Sequence, residues 1–99
     1  MRMMLTVTID VEAGNQAILT GEMPKLVAAL CEKIKPEASY FTSVNGKRTS
    51  MFFFEMTDSS QMPPMLEPLY EKLKAGIVLS PVMNLEDLQN GFKAMLESR

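Results

Sequence analysis

Residues 51–56 read Met51-Phe52-Phe53-Phe54-Glu55-Met56. On a β-strand successive side chains point to opposite faces. Phe52, Phe54 and Met56 therefore share one face, while Met51, Phe53 and Glu55 share the other. A strand that is apolar on both faces needs cover on both, and a chain of 99 residues rarely supplies two cores. The second cover is expected from outside the chain.

Just upstream lies Asn45-Gly46. Both residues tolerate positive φ, the requirement of a two-residue hairpin loop. Strands of about Ala38 to Val44 and Arg48 to Thr57 are expected on its two sides. Such a loop sets the register: Val44 opposes Lys47, Tyr40 opposes Met51 and Phe41 opposes Ser50. A carboxylate beneath packed helices would cost several kcal/mol unless paired, so the Glu55 face is the uncovered one. Phe41, Phe52, Phe54 and Met56 then turn toward the helices, and Thr6, Thr8, Tyr40, Thr42, Met51, Phe53, Glu55 and Ser80 toward the open side.

The rest of the chain supplies the missing elements. Met3 to Asp10 alternates, with Leu5, Val7 and Ile9 on one side and Met4, Thr6 and Thr8 on the other, as in a half-buried strand. Glu12-Ala13-Gly14-Asn15 is expected to break it. A short helix over about Asn15 to Leu19 then leads, through a kink at Gly21 and Pro24, into a longer one carrying the stripe Met23, Leu26, Val27, Leu30 and Ile34. Lys35-Pro36 stops that helix. After the hairpin, Asp58 and Gln61 have the spacing of a capping box. The next helix carries Met62, Leu66, Leu69, Tyr70 and Leu73, with Pro63, Pro64 and Pro68 disturbing its first turns. Ala75-Gly76 ends it, Ile77 to Val82 reads as a fourth strand, and residues 84–98 as a terminal helix with the stripe Leu85, Leu88, Phe92, Met95 and Leu96.

Composition excludes several classes of function. The net charge is −2 and the basic residues are scattered, so no field is available to hold nucleic-acid phosphates. No apolar run approaches the ~20 residues of a membrane span, and the first residues pass directly into alternation, so neither a span nor a signal peptide is expected. The lone Cys31 allows no internal disulfide, which fits a cytoplasmic protein. There is no histidine, so neither a Ser-His or Cys-His nucleophile nor a zinc site of the usual ligands can form. No cofactor is expected.

The order strand, helix, strand, strand, helix, strand matches the split βαβ pattern of ferredoxin-like α+β folds. That pattern places a four-stranded antiparallel sheet in the order 4-1-3-2 with its helices on one face, here with an extra C-terminal helix. Strand 3 would be central, and Pro81 would fall on an edge, where proline is tolerated. With its two-faced central strand, residues 3–83 of the chain resemble the dimeric ferredoxin-like α/β-barrel superfamily. That group holds muconolactone isomerases and small cofactor-independent monooxygenases. The resemblance is one of topology. It implies a homodimer closed sheet to sheet around a barrel-like interior. Glu12-Ala13-Gly14-Asn15, Lys35-Pro36-Glu37-Ala38 and Glu67-Pro68 are similar to segments of an uncharacterised bacterial family. The histidine-dependent chemistry of the superfamily does not carry over, because this chain has no histidine.

The candidate site is the open face. Glu55 is the candidate acid/base, since a carboxylate in a closed, semi-apolar interior suits proton transfer; a carboxylate paired with a neighbour is the structural alternative. Tyr40, Thr42, Phe53, Thr6 and Thr8 are candidates to line a ligand, against plain interface and strand-forming roles. Asp10 and Glu12 could hold a metal but are more simply a solvated edge, and Cys31 reads as a small apolar filler. Three functions remain open: a homodimer binding a small, largely apolar molecule between its sheets, a cofactor-independent isomerase or monooxygenase on a small aromatic or lactone substrate, and a structural dimerisation module.

Overall fold

A computed structural model describes residues 1–99. The chain forms β1 (Arg2–Thr8), α1 (Val11–Thr20), α2 (Glu22–Ile34), β2 (Ala38–Val44), β3 (Lys47–Glu55), α3 (Met62–Leu73), β4 (Gly76–Pro81) and α4 (Leu85–Glu97). The four strands make one antiparallel sheet in the order β2-β3-β1-β4, which counted from the other edge is 4-1-3-2. β3 and β1 are central; β4 pairs with β1 alone, so Pro81 lies on an edge strand.

The hairpin forms as its sequence requires. Asn45 and Gly46 take φ of 53° and 76°, and Val44 opposes Lys47, Tyr40 opposes Met51 and Phe41 opposes Ser50. One face of the sheet carries the core. Met3, Leu5, Val7, Ile9, Phe52 and Phe54 are buried there against Ala17, Leu30, Ile34, Met65, Leu66, Leu69 and Leu73 of the helices. Phe52 and Leu5 are the largest fully enclosed side chains and stand opposite each other across β1 and β3.

Four expectations need correction. Helix α1 starts at Val11, not near Asn15: the Asp10 carboxylate accepts from the Ala13 amide at 3.0 Å and caps it. The strand does end ahead of Glu12-Ala13-Gly14-Asn15, and Gly14 stands in a helix rather than a loop. It is buried within α1, where an added Cβ would stand 2.7 Å from Arg48 Nη1 and 3.1 Å from Ile9 Cγ2. Along α3, Met65 is buried with Leu66, Leu69 and Leu73, while Met62 and Tyr70 stay exposed. Phe41 does turn to the helix side and meets Phe52 edge to face at 5.7 Å, yet it is 59% exposed because no helix reaches over β2. Finally, α4 has its apolar stripe at the expected spacing, but none of it is buried.

The other helix junctions follow local chemistry. Gly21, at φ 77°, ends α1 and opens α2. Asp58 and Gln61 form a reciprocal capping box ahead of a 3-10 turn and α3. The Ser60 hydroxyl and then the Ser60 amide, both donating to the Asp58 carboxylate, hold its pKa below the ordinary value of 3.8. This carboxylate therefore supports the start of α3 above its unfolded pKa, and the support is lost as pH falls through the lowered folded value. Titration of Asp58 followed by NMR is expected to move up toward the ordinary value in Ser60→Ala; an unchanged titration would refute the hydroxyl's role. Phe52→Ala is expected to destabilise the fold by about 3–5 kcal/mol in urea unfolding, and Gly46→Ala, forced to positive φ, by about 1–2 kcal/mol.

Candidate functional site

The second face of the sheet has no helix on it. Three rows cross it from β2 to β4: Thr42–Thr49–Thr8–Gly76, Tyr40–Met51–Thr6–Val78, and Ala38–Phe53–Met4–Ser80. Alternation places all these side chains on one side. Tyr40 stands 60% and Val78 59% exposed. Phe53 and Met51 are half-buried by their neighbours. The Tyr40 and Phe53 rings meet edge to face at 6.4 Å and 73°, a favoured aromatic geometry. The sequence-derived candidates Tyr40, Thr42, Phe53, Thr6 and Thr8 thus share one surface. Met4 and Val78 join them; Met4 was already on the correct side of the β1 alternation, whereas Val78 depends on a β1–β4 register that no local turn sets.

Charges sit only at the ends of this surface: alternation puts Lys47 at the hairpin end, and a cluster stands at the other. Arg2 opposes Glu55 at the end of the β1–β3 ladder. Glu55 is exposed and its carboxylate pairs with the terminal ammonium of Met1, which also donates to the Met56 carbonyl at 2.9 Å. The Arg2 guanidinium reaches Glu37 at 3.2 Å and Asp87 at 2.9 Å. Glu55 therefore does not stand among Tyr40, Phe53 and the threonines; it stands at the margin, in an ion pair, beside a cleft of about 230 Å³ shared with Lys33, Ile34, Phe54, Gln61, Pro64 and Met65. No cleft lies over Tyr40, Phe53 or Thr6 in the single chain.

The remaining candidates take structural places. Asp10 spends its carboxylate on the α1 cap, and no three Asp, Glu, His or Cys side chains converge as a metal site would require. Cys31 is a free, half-buried thiol packed beside the core. Arg48 leaves the hairpin tip and donates from Nη2 to Asn15 Oδ1 at 3.1 Å, tying β3 to α1. No helix is long and apolar enough to cross a membrane.

Compared with protein-family models, with curated proteins and with solved structures, the chain matches none of them. Its function has to be argued from its own geometry. The capping role of Asp10 is open to a direct check: Asp10→Asn is expected to leave urea stability unchanged, whereas Asp10→Ala costs about 1 kcal/mol. Equal losses in both variants would show that the charge, not the cap, matters.

Proposed function

We propose that the chain works as a homodimer closed sheet against sheet, holding a small, largely apolar molecule between the two faces. The fold is then ferredoxin-like and the pair a dimeric α/β barrel. Element order, the strand order of the sheet and the confinement of α1, α2 and α3 to one face support it. The observation that carries the proposal is the composition of the uncovered face. Its middle offers Met4, Met51, Phe53 and Val78 with the hydroxyls of Thr6, Thr8, Tyr40 and Ser80, and its charges stay at the two ends. Contiguous apolar surface of this kind marks an interaction site on a soluble chain. Apolar walls with a few hydroxyl handles are also the usual lining of a small-molecule pocket.

A flat face holds no small molecule by itself, so the ligand needs the partner as its lid. A second sheet packs at about 10 Å, and the small Thr and Ser side chains leave room between larger Phe and Tyr ones. Binding is favoured over proton transfer because Glu55 stands at the mouth of this space rather than within it.

Light scattering at micromolar concentration is expected to give twice the chain mass. Val78→Lys, on an exposed edge-strand position, should leave the fold intact and weaken dimerisation roughly 30-fold or more, equivalent to about 2 kcal/mol. The apolar fluorophore 8-anilinonaphthalene-1-sulfonate should bind saturably to the parent dimer and not to this variant. A monomeric parent chain overturns the dimer; a dimer that takes up no fluorophore overturns the ligand.

A further inference from the structure

We infer that β2 pairs edge to edge, antiparallel, with β2 of a second copy, joining two sheets into one of eight strands. The contact is separate from the sheet faces and does not depend on the reading above.

The direction of each backbone group on β2 follows from bonds elsewhere in the sheet. The Ile9 amide donates to the Arg48 carbonyl at 2.9 Å, so the even residues of β3 turn toward β1 and the odd ones toward β2. The Glu37 amide, donating to the Phe53 carbonyl at 2.8 Å, agrees. Ala38, Tyr40, Thr42 and Val44 oppose those odd residues and bond to them. Ser39, Phe41 and Ser43 therefore direct their amides and carbonyls away from the sheet, where no other strand meets them.

The two edges of the sheet differ in how they are closed. On β4 the Val82 amide donates to the Arg2 carbonyl at 3.1 Å, which turns Ile77, Leu79 and Pro81 outward. Pro81 has no amide to offer there, and an edge proline is a recognised obstacle to a further strand. The β2 edge has no such obstacle. Its sequence, Ala38 to Val44, contains no proline, glycine or charge, and residues 40–44 are exposed.

This edge is complementary to itself. A twofold axis at Phe41 sets Phe41 against its own copy and Ser39 against Ser43. Outward residues then meet only outward residues, so each of the three couples exchanges two hydrogen bonds, six in all. A slip of two residues leaves four. The same register puts the helices of both copies on one side of the joined sheet, and no helix over β2 obstructs the added strand. It also brings the exposed Phe41 side chains together across the axis. Charge agrees as well. Lys47, in no ion pair within its chain, points to the open side. Glu37 of the other copy, beside Asn45, comes within two strand spacings of it, about 10 Å between Cα atoms.

A seven-residue strand is about 24 Å long, so the joint is small, and contacts of this class are weak. A Kd on the order of 0.1–1 mM is expected, well above the range in which the sheet dimer is sought.

The test uses full-length chains with Cys31→Ser, oxidised at about 500 μM to match that Kd. Chains with Ser39→Cys mixed with chains with Ser43→Cys are expected to give a disulfide-linked pair on a non-reducing gel, since Cα atoms ~5.5 Å apart suit the bond. Either population alone should give none, because like positions stand four residues apart, about 14 Å. These side chains lie on the helix side, so the sheet-face dimer cannot link them. Phe41→Lys in both populations, placing like charges on the axis, should cut the mixed yield about tenfold with circular dichroism unchanged. A mixed sample that stays unlinked, or single populations that link equally well, overturns the pairing. The sheet dimer is judged apart from this, by light scattering at micromolar concentration.

Discussion

The pairing of β3 with β1 under a single helical layer is the constraint on which the molecule depends. Leu5 and Phe52 face each other across that pair and are fully enclosed. Met3 and Phe54 repeat the contact one row on, and the stripes of α2 and α3 close over them. A chain of 99 residues builds this one two-layer core and no second one. Because strand side chains alternate, each buried residue on β3 commits its neighbour to the other face. Burying Phe52 and Phe54 leaves Phe53 and Met51 outside.

The polar groups are arranged so that this core carries no unpaired charge. No buried side-chain nitrogen or oxygen lacks a partner, and the ion pairs lie on exposed surface, where each contributes little. Helix starts are handled locally, by Asp10 for α1, Asp58 for the turn before α3 and Asn84 for α4. One end of the sheet gathers Arg2, Glu37, Glu55 and Asp87 and Lys47 stands at the other, keeping the middle of the uncovered face free of charge. The proposed dimer draws on what this economy leaves unburied, the second face of the sheet.

Legibility in the sequence followed the range of the interactions. Asn45-Gly46 carried the β2–β3 register because a two-residue loop leaves no other, and Tyr40 opposite Met51 followed from it. The candidate face was legible for the same reason. Gly14 was not, since glycine as a breaker and glycine as a close-packing residue look alike until Ile9 and Arg48 are placed against it. The stripe of α3 slipped by part of a turn: Met65 is buried, Tyr70 is not, and three prolines blur the start of the helical period. Glu55 was assigned correctly to its face but not to its position along it. Only the end of the β1–β3 ladder shows that it stands at the margin.

By itself the sequence determined the elements, the hairpin register and which side chains share a face, since period, turn residues and alternation are properties of neighbours in the chain. Tertiary structure alone decided that Val78 completes the uncovered face, that β2 lies beyond the reach of the helices, and that α4 touches no core. Those outcomes depend on distances between segments far apart in sequence, on how much surface a single helical layer can cover, and on where each strand ends. For Phe52-Phe53-Phe54, alternation had already separated the middle ring from its neighbours; the packed helices settled which side is the core.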